Sequence, residues 1–307
     1  MAAPPALLVL GDLVTDVVAL HGKPLAPGTD TSARISLRPG GSAANTAAWA
    51  VRSASSASEP SGEVRLLARV GADSADWHRA ALERAGVRPC LRIDPVRPTA
   101  VVIALVDAAG ERTFVTERGA SGALGPDDWE ESLLDGVGRL HLSGYLLFDP
   151  AGRALAAHAV VRAAARGIGV SVEPASVVFL REYGPSRFLD LLGGVDLLFP
   201  NLDEARALTG AVDPGAAARE LSARCHCLVA VTLGAEGVLL ADHGDLLGAV
   251  PGVATAALDS TGAGDAFAGA FLTALLAGAG PLEAASAGCR SGAEAVGLVG
   301  GRPLPPE

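Results

Sequence analysis

The feature that most constrains this chain is the alternation of short apolar runs with longer helical patterns. Most of the runs are apolar throughout, as is typical of strands buried on both faces of a parallel sheet. The predicted strands are Ala6–Leu10, Val64–Val70, Leu140–Ser143, Gly169–Glu173, Val195–Phe199 and Leu228–Leu233. Strands that alternate with helices form βαβ units, so the chain is predicted to be an α/β protein with a mostly parallel sheet.

Helical patterns fill the intervals between these strands. Ser74–Ala85 ends at Gly86, a residue that commonly terminates helices. Ala151–Arg166 and Ala263–Ala277 are rich in alanine, which favours helix. A final helix is predicted to begin near Pro281, because a first turn tolerates proline.

Two segments interrupt the alternation, at about residues 17–39 and 91–116. The second contains Thr99–Val106 and Arg112–Thr116, which indicate a hairpin around Ala109-Gly110. Strands without helices between them predict a small β-sheet that projects from the main domain. An exposed edge of such a sheet can pair with a second copy, so a homodimer through this sheet is predicted.

Composition excludes several classes of partner. Of the 307 residues, 50% are hydrophobic and 19% charged, which suits a large packed core. The net charge of −10 argues against a nucleic-acid partner, which needs clustered basic residues. No apolar stretch approaches the ~18–20 residues of a membrane span, and the N-terminus lacks the basic region of a secretory signal. We therefore predict a cytoplasmic protein without a membrane or nucleic-acid partner.

A glycine-rich turn precedes the helix near Ala263. In Thr261–Asp265, Gly262 and Gly264 would let backbone N–H groups approach a phosphate closely at a helix N-terminus. Asp265 could accept a proton from a hydroxyl that attacks phosphorus. Alternatively, Asp265 only stabilises the helix dipole, an effect of ~0.3–1 kcal/mol. The local pattern by itself leaves both interpretations open.

Longer sequence motifs favour the interpretation of Asp265 as a proton acceptor. Asp259–Ala270 (Asp-Ser-Thr-Gly-Ala-Gly-Asp-Ala-Phe-Ala-Gly-Ala) resembles the C-terminal signature of the ribokinase-like (PfkB) family of carbohydrate and nucleoside kinases. Gly40–Ala47 is similar to the family's N-terminal Gly-Gly signature, Pro200–Ala205 to its Asn-x-x-Glu motif, and Val231–Gly237 to its nucleotide-site strand and turn. The four matches occur in the family's order and span residues 8 to about 301.

The resemblance implies a fold, an activity and a catalytic group. The fold is a ribokinase-like three-layer αβα sandwich with a projecting β-sheet lid, formed as one kinase domain over residues 1–307. The activity is phosphoryl transfer with ATP and Mg²⁺. Asp265 would be the catalytic base, and the N–H groups of Gly262, Ala263 and Gly264 would form the anion hole.

The resemblance also assigns the nucleotide side of the site. Asn201 and Glu204 would organise Mg²⁺ and phosphate oxygens, largely through water, and Thr232, Gly234 and Gly237 would border the nucleotide. Asn201 and Glu204 follow a predicted strand at its carboxyl end, where open α/β sheets bind ligands. Asn201 is predicted to cap the following helix as well.

On the acceptor side, the family pattern points to Asp16, Gly40, Gly41 and Asn45. An aspartate that accepts two hydroxyls suits a polyol, and bare glycine backbone would let a sugar ring lie close. Asp12 is a second candidate, or a residue that caps a turn.

Some family members bind K⁺ near the residues that match Asp259 and Thr261, which makes these two the candidate K⁺ site.

Three functions stay open. The first is a kinase of a sugar or sugar acid, with Arg97, Arg112 or Arg118 either pairing a substrate carboxylate or solvated. The second is a nucleoside kinase, which would need an aromatic side chain to stack the base. The third is a non-catalytic sugar- or nucleotide-binding relative, which would be expected to have lost the base or an anion-hole glycine.

Overall fold

The computed structural model describes residues 4–55, 62–109 and 111–303. Its strands are β1 (Ala6–Leu10), β2 (Val14–Leu20), β3 (Arg34–Gly40), β4 (Val64–Gly71), β5 (Arg88–Asp94), β6 (Ala100–Val106), β7 (Arg112–Glu117), β8 (Val137–Ser143), β9 (Gly169–Glu173), β10 (Leu197–Leu198), β11 (Leu228–Thr232), β12 (Gly237–Asp242) and β13 (Asp245–Pro251). Its helices are α1 (Ser42–Ser55), α2 (Ala75–Arg84), α3 (Pro150–Ala164), α4 (Val177–Tyr183), α5 (Pro185–Leu189), α6 (Leu202–Thr209), α7 (Pro214–Cys225), α8 (Ala263–Leu276) and α9 (Pro281–Val296).

The central sheet has the strand order β13-β12-β11-β10-β9-β8-β1-β4-β5. Pairing is parallel from β5 to β11 and antiparallel at the β12–β13 end. Strand β1 is wholly buried, and its side chains alternate between two cores: Leu8 belongs to the core that includes α3 and α7 residues, whereas Val9 belongs to the core that includes α1 and α8 residues. Helices thus cover both faces of the sheet, and the predicted three-layer αβα sandwich is confirmed.

The lid is a separate sheet with the order β3-β2-β6-β7. Its first segment starts at Val14, earlier than residue 17, because β2 already pairs with β3 from that residue. Its second segment starts at Ala100, because Arg88–Asp94 pairs in parallel with β4 in the central sheet. This edge strand mixes charged with half-buried residues and so lacks the apolar run by which the other strands were predicted.

The two faces of the lid differ in character. The register places Ile35, Leu37 and Val115 on one face, where each side chain is more than half exposed. Asp16 and Arg112 lie on the opposite face, which contacts the loop before α8 through the ion pair between Arg112 and Asp259. The homodimer through an exposed edge of the lid stays a prediction.

Other predictions of detail have mixed outcomes. Strand β10 keeps only two of the five residues predicted for it, Leu197 and Leu198. The antiparallel β12–β13 hairpin was not predicted. Residues 56–61 of the predicted loop Ser53–Gly62, and Gly110 of the predicted turn, lie outside the described residues. Within the described ranges, no helix is long and apolar enough to cross a membrane.

Candidate active site

Asp265 lies in the first turn of α8 and is 7% exposed. Asn45 donates from Nδ2 to Asp265 Oδ2 at 2.8 Å, and Ser42 donates from Oγ to Oδ1 at 2.9 Å. Both donors belong to the first turn of α1. The N-termini of α1 and α8 therefore face one another, and both oxygens of the carboxylate are fixed in position.

The turn before α8 requires glycine at position 262. Gly262 is the N-cap and has a left-handed φ of 77°. A Cβ atom on it would lie 2.4 Å from the carbonyl oxygen of Gly301. Both the backbone conformation and this contact exclude larger residues, so the glycine shapes the loop that enters the helix.

This turn leaves backbone donors available. Ala266 is the first residue of α8 whose N–H donates to the N-cap carbonyl, that of Gly262. The N–H groups of Gly262, Gly264 and Asp265 have no hydrogen-bond partner within the described chain. Ala263 donates weakly, at 3.3 Å, to a carbonyl of the preceding turn. An anion at this helix N-terminus would thus meet unpaired donors and the positive end of the dipole.

Glu173, at the end of β9, completes a cluster of acids beside Asp265. The Ser42 hydroxyl lies 2.7 Å from Glu173 Oε2 and 2.9 Å from Asp265 Oδ1. A hydroxyl carries one proton, so one of the two carboxyls must itself carry a proton to satisfy both contacts. Burial, reinforced by the neighbouring Asp265 and Glu204 carboxylates, holds the pKa of Glu173 well above its usual range.

The surroundings of Asp265 raise the pKa of its carboxyl group. Burial raises its pKa to about 7, while the hydrogen bonds from Asn45 and Ser42 oppose that rise. A carboxyl with this pKa can both hold and release a proton near physiological pH, which is the property a general base needs.

Asn201 and Glu204 form a reciprocal cap at the start of α6. Asn201 Oδ1 accepts from the Glu204 N–H, and Glu204 Oε2 accepts from the Asn201 N–H, both at 2.9 Å. The predicted cap is therefore present. Glu204 is 3% exposed, and burial raises its pKa to about 7. Glu204 and Glu173 offer oxygen donors of the kind that Mg²⁺ prefers, but no three His, Cys, Asp or Glu side chains among the described residues are grouped so as to hold a metal ion by themselves.

Three residues predicted to border the nucleotide lie on one side of this acid cluster. Thr232 forms an isolated parallel bridge with Asn201, which brings the two predicted motifs together. Gly234 has a φ of 60° and open space where a Cβ would be. Gly237 has a φ of 102°, and a Cβ on it would lie 2.1 Å from the Val250 carbonyl. The packing around position 237 therefore requires glycine by itself, whereas Gly234 borders open space.

Asp16 lies on the inner face of the lid and is free to accept hydroxyl groups. No donor among the described residues hydrogen-bonds to its carboxylate. Burial raises its pKa to about 6, and Arg302 and Arg38 oppose the rise. Its Oδ2 would lie 2.0 Å from a Cβ placed on Gly40. In this structure the Asp16 carboxylate itself, not a ring, uses the space that the glycine leaves.

Gly41 and Asp12 have structural roles at the start of α1. Gly41 has a φ of 103°, and a Cβ on it would lie 2.5 Å from the Asp12 carbonyl oxygen. The Asp12 carboxylate accepts from the N–H groups of Ser42 and Ala43, at 2.8 and 3.3 Å, and from Ser143 Oγ. Of the two aspartates considered as hydroxyl acceptors, Asp12 is thus occupied as a cap and Asp16 is not.

Arg302 reaches the acceptor side of the site and was missed in the sequence. It donates from Nε to Asn45 Oδ1 at 3.2 Å and from Nη2 to the Gly40 carbonyl at 2.8 Å. Burial lowers its pKa to about 10, and the surrounding carboxylates, chiefly Asp16, oppose that shift. A single arginine beyond the last helix has no local pattern that could have identified it.

Asp259 and Thr261 are joined by an arginine from the lid. Arg112 Nη2 lies 2.7 Å from Asp259 Oδ1, and Arg112 Nη1 donates to Thr261 Oγ1 at 2.5 Å. Asp259 also accepts from the Thr261 and Gly300 N–H groups, and its pKa is lowered because these bonds outweigh its burial. At the candidate K⁺ residues, the chain therefore supplies a positive charge of its own.

The other two arginines considered for a substrate carboxylate lie just before β6 and just after β7, and both are paired within the protein. Arg97 contacts Asp94 at 3.3 Å, and Arg118 contacts Asp149 at 2.7 Å.

Known proteins resemble this chain over its whole length. A model of the family described as pfkB family carbohydrate kinase matches residues 5–307. A 2-dehydro-3-deoxygluconokinase from Thermoproteus tenax is 30% identical over 246 residues, which cover 76% of this chain and 74% of that protein. An ATP-dependent ribose-1-phosphate kinase from Halopiger xanaduensis is 32% identical over 270 residues, which cover 87% and 83%.

The fold also matches solved structures. The crystal structure of adenosine kinase from Sinorhizobium meliloti has a TM-score of 0.86 and 26% identity, and the match covers 98% of this chain and 97% of that one. The family model includes all four motifs from which the family was predicted, together with both lid segments. That prediction is confirmed, and the chain belongs to the pfkB family of carbohydrate kinases.

Proposed function

We propose that this protein transfers the γ-phosphoryl group of ATP to a hydroxyl group of a small sugar or sugar acid. One observation carries the proposal: a buried aspartate, oriented through both oxygens, lies beside unpaired N–H groups at a helix N-terminus. The base and both anion-hole glycines are present, which favours an enzyme over a non-catalytic binding relative.

Each residue of the site has its own role in the proposed reaction. As the acceptor oxygen attacks the γ-phosphorus, the bond from that phosphorus to the β–γ bridging oxygen breaks, ADP leaves, and the ionised Asp265 takes the hydroxyl proton. The free N–H groups of Gly262 and Gly264 stabilise the charge on the phosphoryl oxygens. Mg²⁺, when bound, would neutralise phosphate charge, and Asn201 and Glu204 would hold it, largely through water.

The acceptor side of the site favours a polyol, which can also carry an acidic group. The unoccupied carboxylate of Asp16 can accept two hydroxyl groups. The guanidinium of Arg302 lies near the carboxylates of Asp16 and Asp265. Its positive charge would favour an acceptor that carries a carboxylate. The related 2-dehydro-3-deoxygluconokinase, by its name, acts on a sugar acid.

A nucleoside kinase is the second candidate, favoured by Phe114. This side chain is 57% exposed and shares the inner face of the lid with Asp16 and Arg112. An exposed aromatic ring on that face could stack on a base. The structural match to an adenosine kinase points the same way.

The choice of acceptor is tested by measuring ATP consumption against a panel of free sugars, sugar acids and nucleosides. We expect turnover with a sugar or sugar acid, and Phe114→Ala should then leave kcat within about twofold, or about 0.4 kcal/mol, because a polyol needs no stacking partner. Turnover of nucleosides alone, lost in Phe114→Ala, would contradict the sugar proposal in favour of the second candidate.

The role of Asp265 is tested by Asp265→Asn. This change keeps the size of the side chain but removes the proton acceptor, so kcat should fall by about 10²–10⁴-fold while ATP still binds. Steady-state kinetics and ATP-binding calorimetry measure the two effects. The matched control is Asp127→Asn, because Asp127 is exposed and lies in the turn Pro126–Asp128, outside the residues assigned to the site. Near wild-type turnover in Asp265→Asn would show that another group is the base.

Dependence on K⁺ should be weak, because the Arg112 guanidinium already contacts Asp259 and Thr261. Replacing K⁺ by tetramethylammonium at constant ionic strength should change kcat by less than about twofold, under about 0.4 kcal/mol. Arg112→Ala should lower kcat, since it removes this contact between lid and anion-hole loop. Strong activation of the wild-type protein by K⁺ would mean that Arg112 leaves these residues during turnover.

A further inference from the structure

The base of the lid is joined to helix α2 by a hydrogen bond between two side chains. Thr15, the second residue of β2, has its Oγ1 3.0 Å from Nε2 of His78, which belongs to α2. Successive residues of a strand point to opposite faces of the sheet, so Thr15 contacts α2 from the face opposite to Asp16. The bond therefore ties the lid to a helix behind it, away from the acceptor side of the site.

A second set of hydrogen bonds joins the beginning of α2 to the neighbouring lid strand. Thr99, which directly precedes β6, donates from its backbone N–H and from Oγ1 to Asp73 Oδ1, both at 2.9 Å. Ser74, the N-cap of α2, donates from Oγ to Thr99 Oγ1 at 2.6 Å. Strands β2 and β6 pair in parallel along their whole length. The first part of α2 thus contacts both central strands of the lid at their bases.

His78 depends on its bond to Thr15. Its side chain is fully buried, and its Nδ1 atom has no hydrogen-bond partner in the described part of the chain. Burial lowers the pKa of the imidazole to about 4; the positive charge of Arg302 acts in the same direction, whereas Asp73 opposes the shift. The ring is therefore neutral near pH 7, with one N–H group and one acceptor nitrogen. Loss of the bond to Thr15 would leave a buried imidazole without any side-chain partner among the described residues, which is costly.

The position of Asp16 depends in turn on the backbone of β2. Its carboxylate has no hydrogen-bond donor among the described residues, so no such contact holds it from its own side. It occupies the space that Gly40 leaves on the neighbouring strand β3. A small displacement of β2 would move this carboxylate away from a bound hydroxyl group, and hydrogen bonds weaken steeply as their geometry worsens.

We propose that His78 is a positioning residue for Asp16 and acts through its hydrogen bond to Thr15. The imidazole holds the base of β2 against α2. The carboxylate of the next residue is thereby held where an acceptor hydroxyl can donate to it. His78 is fully buried behind the lid, so it acts without touching the acceptor. The inference rests on the proposed function, because it says how the acceptor side of that site is kept in place.

The kinetic test uses Thr15→Val, which removes the hydroxyl and keeps the shape of the side chain. The KM for the acceptor should rise at least about fivefold, while kcat and the KM for ATP stay within about twofold, because the loss falls on acceptor binding. Thr15→Ser keeps a hydroxyl and should return the acceptor KM to within about twofold of the wild-type value. The matched control is Thr113→Val, since Thr113 is exposed on the same face of the lid as Val115.

A double-mutant cycle tests whether the two residues act as a pair. His78→Leu should raise the acceptor KM by a factor similar to that of Thr15→Val, and the double variant should be no worse than either single variant. Effects on KM that multiply in the double variant would show independent roles and would contradict the inference. A fall in kcat with an unchanged acceptor KM would contradict it as well. Thermal melts verify that the variants are folded.

Hydrogen exchange measured by mass spectrometry tests the same contact without a substrate. The amides of β2 should exchange at least about threefold faster in Thr15→Val and His78→Leu than in the wild type or Thr113→Val, because the base of the strand is released. Unchanged exchange in β2 would overturn the inference whatever the protein phosphorylates. A wild type that phosphorylates no sugar, sugar acid or nucleoside would contradict the proposed function instead. Faster exchange in β2 would then still support the contact with His78 as the one that positions this strand.

Discussion

The site depends on the two hydrogen bonds that Asn45 and Ser42 donate to Asp265. They join residues 220 and 223 positions apart in the chain. They also hold the N-termini of α1 and α8 against each other, so two positive helix ends face one carboxylate. Neither helix end alone would fix both oxygens of that group. The approach of the two helices therefore orients the helix-end carboxylate that we propose as the base.

This arrangement concentrates negative charge in a buried place. Asp265, Glu173 and Glu204 all have pKa values raised by burial, and the single hydroxyl of Ser42 cannot satisfy two ionised neighbours. The cluster thus retains a proton until positive charge arrives. Arg302 offsets part of the charge from the acceptor side. The Mg²⁺ ion that accompanies the nucleotide would bring positive charge to the cluster, and its binding would then favour ionisation of Asp265.

Much of the fold and part of the candidate site could be predicted from the sequence. The other features could not, for physical reasons. The sheet, the turn at Gly262 and the Asn201–Glu204 cap depend on residues close in sequence, where spacing carries information. Arg302, by contrast, makes its contacts only in the folded structure, and no spacing of residues in the sequence predicts them. Gly40 and Gly41 have a structural reason that differs from the one predicted for them, and their part in binding the acceptor stays a prediction. They accommodate side-chain and backbone atoms of other segments, which only the packed structure reveals.

The central claim is that a buried Asp265 with a pKa of about 7 is the base. The most direct measurement is the pH dependence of kcat/KM, because a base must be ionised to act. Burial raises this pKa, so activity should be lost as the pH falls below about 7 and should reach a plateau above it. Asn45→Ala removes a hydrogen bond that favours the ionised form, so its midpoint should move to higher pH. A rate that stays constant down to about pH 5 in both proteins would contradict the account.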